Sequence, residues 1–220
     1  MMETQSLDWK KKFKFKNMVR IGIDGDGSCY SNAIAYAYFI PYREGNIDGT
    51  PLDRRKFIRN LRYDLAEKLK EHIDPNDDTS PRNYDLLSRG NLANFSENVI
   101  KKGPTNLSYG LDDMVTELQS GNDVGYVYNE FVSNEFEKDI YFLDYNSNDV
   151  YVVGDDFDLY YLRRPSIVLL SIPGHFELVG IQKKEGIQTL FSPDDPFIEA
   201  IKLRMREKII QGSSNINLYE

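Results

Sequence analysis

One cysteine, Cys29, and two histidines, His72 and His175, are all that this 220-residue chain has of the side chains that build disulfides and zinc clusters. A lone cysteine excludes an intrachain disulfide. With no secretory leader pattern at the start, a reducing cytoplasmic compartment is expected. One thiol and two imidazoles fall short of a zinc cluster unless carboxylates supply the rest, so neither a metal nor another cofactor is expected. No apolar run approaches the roughly 20 residues that span a bilayer. Basic residues are also short: 27 Lys and Arg face 35 Asp and Glu, for a net charge of −8. An acidic balance argues against nucleic acid as the main partner, because phosphate binding wants a basic face. What remains, 40% hydrophobic and 28% charged residues, is ordinary for a soluble globular protein with a real core, expected to be a monomer.

The expected organisation is an N-terminal arm over 1–19, one domain over 20–211 and a tail over 212–220. Residues 10–16 read as a solvated basic arm or an edge strand. Tyr30, Ala33, Ile34 and Ala37 follow the i, i+3, i+4, i+7 stripe of an amphipathic helix that Pro41 should close. A second helix is expected over 53–72, with Ile58, Leu61, Leu65 and Leu69 on one face and a polar loop after it. Residues 84–100 read as one or two short helices. Leu111, Met114, Val115 and Leu118 mark another, stopped at Gly121. The period then changes. Residues 124–128, 140–145 and 150–153 read as strands, the last two joined by a turn over 146–149. Residues 167–172 suit a strand covered on both faces. Pro173 and Gly174 turn the chain into a further strand over 175–181. A helix over 197–210, capped by Asp195 and Pro196 and ended by Gly212, completes the set. Helices first and strands later predict an α+β fold, a small central sheet covered by helices.

Cys29 lies in Asp24-Gly25-Asp26-Gly27-Ser28-Cys29-Tyr30. The glycines permit a tight turn. The helix expected to start there points its N–H groups and partial positive charge at the sulfur, which favours thiolate, the reactive form. The turn's backbone N–H groups, with that of Cys29, could serve as an oxyanion hole. Asp24 and Asp26 would hold the turn while facing away from the sulfur. Free cysteine is otherwise often a small buried hydrophobe, but a glycine-rich turn is a poor place to bury one.

A thiol nucleophile needs a base. His72, at a helix end, reads as a surface or half-buried residue favoured by the helix dipole. His175 stands at the mouth of a strand, with Glu177 two residues on and on the same face. A carboxylate there can turn back to the imidazole, fix its tautomer and stabilise the imidazolium.

These residues bring a resemblance into view. Asp26-Gly27-Ser28-Cys29 followed by Ala33, with the late His175-Phe176-Glu177 and Val179, resembles the ovarian-tumour (OTU) cysteine proteases over about residues 20–182. Ser108-Tyr109-Gly110-Leu111 and the helix after it resemble the middle of that domain. The resemblance implies an OTU-like fold and a deubiquitinating cysteine protease. Cys29 would be the nucleophile and His175 the base, with Glu177 as orienting acid where the family more often has Asp or Asn. Asp26 or Asp24 would be the alternative orienter. It implies ubiquitin or polyubiquitin as partner, bound by residues 84–109 and the turn near Asn146. It also implies a eukaryotic or viral source. Two other readings stay open. One is a papain-like thiol protease, suggested by Gly-Ser-Cys-Tyr and a histidine about 130–150 residues downstream. The other is a catalytically weak or inactive OTU-fold module that binds ubiquitin without turnover.

Overall fold

The structure is a computed structural model that describes residues 3–90, 110–121, 124–152 and 161–216. In chain order its strands are β1 (Thr4–Ser6), β2 (Met18–Ile21), β3 (Asn46–Ile47), β4 (Thr50–Pro51), β5 (Asp139–Asp144), β6 (Asp149–Tyr151), β7 (Ser166–Ile172), β8 (His175–Lys183) and β9 (Gly186–Gln188). Its α-helices are α1 (Cys29–Tyr38), α2 (Ile40–Glu44), α3 (Arg54–Lys70), α4 (Leu111–Ser120), α5 (Asn129–Phe136) and α6 (Pro196–Ile216). The chain divides into two units, Asp24–Glu137 and the pairing of Met1–Ile23 with Lys138–Glu220.

The second of these is an α+β unit built on a mixed sheet in the order β1-β2-β8-β7-β5-β6, with β9 also paired to β8. Among the described residues β5 and β7 run parallel and the other pairings of this sheet are antiparallel. Consecutive residues Ile140 to Leu143 and Ile167 to Leu170 are all fully buried. That is why these strands read as continuous apolar runs rather than alternating ones. α6 adds Phe197, Ile198, Ile201 and Met205 to the core. Phe13, Phe15 and Phe191 gather round the Phe197 ring. Asp139 is wholly buried. It accepts from the Leu162 and Arg164 backbone N–H groups, both at 3.1 Å, and from Arg164 Nε at 2.8 Å.

The expected loose arm is instead part of this unit. Thr4–Ser6 pairs with β2, and Leu7 and Phe13 are buried. Lysines on both sides mask Phe13 in the sequence, and the polar residues around it mask Leu7. α6 also runs on past Gly212 to Ile216, because one glycine costs a helix only about 1 kcal/mol.

The helical unit holds the other helices and the short β3–β4 hairpin. Asp53 caps α3, its carboxylate accepting from Lys56 N–H at 3.0 Å. Ile58, Leu65 and Leu69 are buried as expected, but Leu61 is only half-buried, and Arg62 and Ala66 are buried as well. Pro41 does not close α1. The chain breaks at Phe39, and Pro41 then sits in the first turn of α2, where its missing N–H costs nothing. α4 ends at Gly121, left-handed at φ 78°.

Residues 124–128 are a correction. They form no strand; Tyr126–Tyr128 is a 3-10 turn leading into α5. The buried residues Val124, Val127, Tyr128, Phe131 and Val132 recur at helical spacing, and that burial outweighs the β preference of valine and tyrosine. Tyr84–Gly90 is a 3-10 helix. Residues 91–109, including most of the expected ubiquitin surface with Ser108 and Tyr109, lie outside the described residues, as does Val153.

Candidate active site

Cys29 is the first residue of α1, with Ser28 as its N-cap. Gly27, at φ 79°, makes the sharp turn that delivers the chain there. Asp26 Oδ1 accepts from Ser28 N–H and from Asn32 Nδ2, each at 3.1 Å. Asn32 Oδ1 in turn accepts from the Tyr42 hydroxyl at 2.6 Å. Burial first, then the nearby Asp26 and Asp24 charges acting against Arg54, push the Tyr42 phenol up to about 12. It therefore remains a donor throughout the physiological range. Arg54 holds the other side of Tyr42, donating to the Tyr42 carbonyl at 2.7 Å with its guanidinium 5.6 Å from the ring centre.

The Gly27–Ser28 peptide is fixed from both ends. Its carbonyl accepts from Arg62 Nη1 at 2.9 Å, while its N–H goes to Asp26. That N–H is therefore spent inside the turn, which narrows the expected oxyanion donors. The Ser28 carbonyl accepts from Asn32 N–H at 2.8 Å as the first helical bond. Across a planar trans peptide the Cys29 N–H must point the opposite way, out of the helix end. The Ser28 hydroxyl caps none of its own helix's N–H groups; it accepts from Arg62 Nη1 at 3.0 Å. A cavity of about 420 Å³ opens beside the turn, bordered by Asp26, Ser28, Arg62 and the end of α4.

The Cys29 side chain is buried, at 2% exposure. This differs from the expectation for a glycine-rich turn. Its neighbours along α1, Tyr30 and Ala33, are at 1% and 0%, so the first turn of the helix is buried as a whole.

His175 opens β8 in the sheet unit, straight after Pro173 and the left-handed Gly174 at φ 71°. It lies opposite Ile172 of β7, and Glu177 lies opposite Leu170. Both are half-buried. The expected Glu177–His175 hydrogen bond is not formed among the described residues. Glu177 Oε2, buried and without a hydrogen bond, lies instead 3.6 Å from Arg20 Nε on β2. The reason is sheet geometry: Arg20 pairs with Val179, which puts its guanidinium on the face that Glu177 shares. Arg20 is itself held by Gln5, at 2.9 Å from Nε, and by the Tyr145 ring. His72 follows α3, its Nδ1 against the Ser80 carbonyl, which is a structural contact.

Asp26 and Cys29 thus belong to the helical unit, His175 and Glu177 to the sheet unit. Sequence reading missed Arg62 and Arg20. For Arg62 a signal existed, since position 62 falls on the 58, 65, 69 stripe. For Arg20 the pairing of β2 with β8 had to be known first. Among the described residues no group of His, Cys, Asp and Glu could hold a metal ion, and no helix is long and apolar enough to cross a membrane.

No protein-family model matches the sequence, and no curated protein matches it either. Among solved structures, an OTU domain in complex with ubiquitin aligns over 85% of this chain and 86% of its own, at 16% identity and a TM-score of 0.47. The OTU domain of OTUD1 aligns over 74% of this chain and 86% of its own, at 17% identity and 0.41. The viral OTU domain protease from Qalyub virus aligns over 81% and 98%, at 15% identity and 0.36. These solved structures to which the chain is similar are OTU domains, and likeness at this level assigns no residue a role.

Proposed function

We propose that this chain is an OTU-type cysteine protease that hydrolyses isopeptide bonds at the C-terminus of ubiquitin. The observation that carries the proposal is the setting of the only cysteine: first residue of α1, behind a Gly27 turn tied by Asp26. A thiol there feels the positive end of the helix, which stabilises its thiolate. The Asp-Gly-Ser-Cys and His-Phe-Glu motifs, not the fold, supply the word ubiquitin.

In this reading His175 takes the Cys29 proton, and the thiolate attacks the carbonyl of ubiquitin's C-terminal glycine. Charge collects on the carbonyl oxygen, where the Cys29 N–H and neighbouring turn N–H groups stabilise it. The C–N bond breaks, His175 returns the proton to the departing lysine amine, and a thioester remains. Water, deprotonated by His175, then hydrolyses that thioester to free the glycine carboxylate and the thiol. Glu177 orients the imidazole after exchanging Arg20 for His175. The work belongs in a reducing compartment, where the thiol persists.

The experiment is capture by ubiquitin carrying a C-terminal alkyne electrophile. The wild-type chain forms a covalent adduct that is lost in Cys29→Ala; a wild-type chain that forms none overturns the proposal. Two observations favour the alternative of a ubiquitin-binding module without turnover: the burial of Cys29 and the pairing of Glu177 with Arg20. Reversible binding of ubiquitin without adduct would select it.

A further inference from the structure

Arg62 is an arginine where the helix pattern calls for an apolar residue, and it is 2% exposed. Its guanidinium reaches in two directions. Toward the turn, Nη1 donates to the Gly27 carbonyl at 2.9 Å and to Ser28 Oγ at 3.0 Å. Away from it, Nε donates to the Leu118 carbonyl and Nη2 to the Glu117 carbonyl, both at 2.8 Å. Those two carbonyls belong to the last turn of α4, whose negative end suits a cation. The planar fork spans both elements at once, which a lysine ammonium cannot do.

We infer that Arg62 is a positioning residue for the Cys29 thiolate, acting through the Gly27–Ser28 peptide and the Ser28 hydroxyl. This rests on Cys29 being the nucleophile proposed above. Two effects follow from the bonds. Holding the Gly27 carbonyl fixes the Gly27–Ser28 peptide, and with it the point from which the chain enters α1 at Cys29. Holding Ser28 Oγ keeps the N-cap hydroxyl from turning onto the first N–H groups of α1, its usual partners. Without Arg62, the Ser28 hydroxyl is released to act as an ordinary N-cap on the second or third N–H of α1, which draws helix-end charge away from the sulfur.

Because Cys29 is the only cysteine, alkylation by iodoacetamide followed against pH reports on this sulfur alone and needs no ubiquitin. In Arg62→Lys the alkylation midpoint moves to higher pH. kcat on a ubiquitin substrate falls about tenfold with KM unchanged, a fraction of the 10²–10³ that one oxyanion donor carries. Adding Ser28→Ala to Arg62→Lys recovers part of the loss, since the competing hydroxyl is gone. Arg62→Ala is expected to fold less well; guanidinium at millimolar concentration, admitted by the adjoining cavity, restores its alkylation profile. An Arg62→Lys chain with a wild-type alkylation midpoint, or a kcat that falls only as far as the folded fraction falls, overturns the inference. Failure of wild-type capture by the ubiquitin electrophile would instead strike the proposed function, and the alkylation result would still stand by itself.

Discussion

In the helical unit, polar side chains from the turn itself and from three helices fix the turn before Cys29: Asp26 within it, Arg62 from α3, and the Asn32–Tyr42 pair of α1 and α2 behind it. In the sheet unit, strand register alone places His175. It starts β8 opposite Ile172, next to fully buried Leu178 and Val179 that lock the pairing, and among the described residues its ring makes no hydrogen bond. The contrast follows from backbone needs. A left-handed glycine turn has few conformers that deliver a thiol to a helix end, and each must be tied down. A strand flanked by apolar pairs cannot slip by one residue without exposing its core face. Damage to the first unit should therefore reach the chemistry through the backbone, and damage to the second through one side chain.

The sharpest way to break this comparison is at the two side chains of the proposed reaction, Cys29 and His175. Cys29→Ala removes turnover by about 10⁴ or more while leaving the thermal transition in place, read by chain cleavage and by melting. His175→Ala costs about 10²–10⁴ and moves the alkylation midpoint of Cys29 up toward the ordinary thiol value of about 8.5. A His175→Ala chain that cleaves as well as wild type would detach the sheet unit from the reaction altogether.

A stability test comes next. Asp139 is the sheet unit's counterpart of Arg62, a buried charge that ties a connecting segment to the start of a strand. Asp139→Ala leaves two backbone N–H groups and Arg164 without their acceptor, so it should cost about 3 kcal/mol in chemical denaturation. A loss below about 1 kcal/mol would show that the 161–165 segment does not depend on that carboxylate.

Much of this framework was legible because burial and periodicity coincide. Ile58, Leu65 and Leu69 on α3, Met114 and Leu118 on α4, and the apolar run of β7 announce themselves. The turn at Gly27 and the start of α1 at Cys29 could be read from glycines and a helical stripe. The failures share a cause: residue types that contradict their position. Val124 to Tyr128 has strand composition but helical burial. Arg62 has a surface side chain on a core stripe. Phe13 hides among lysines and Leu7 among polar residues. The pairing of Glu177 with Arg20 depends on β2 lying beside β8, a contact between residues 157 apart in sequence, and local pattern carries no such information.

The smallest effect expected separates the two kinds of tie by pH. Asp149 of β6 is buried, which by itself would raise its pKa. Hydrogen bonds from Arg204 on α6, at 2.8 and 2.9 Å, and from Val150 N–H outweigh that and hold its carboxyl below the ordinary value. A carboxylate with a lowered folded pKa adds stability that is full above the unfolded value, near 3.9, and is lost as pH falls through the folded one. Arg204→Ala should therefore cost about 2 kcal/mol at neutral pH, and the gap to wild type should close progressively below about pH 4. Urea titrations at several pH values measure it. The bonds that Arg62 itself makes at the turn before Cys29 go to a carbonyl and a hydroxyl, neither of which titrates in this range, so the deficit of Arg62→Lys should persist across the same window. A parallel closing of both gaps would mean that acid loosens the two units together, and the distinction drawn between them would fail.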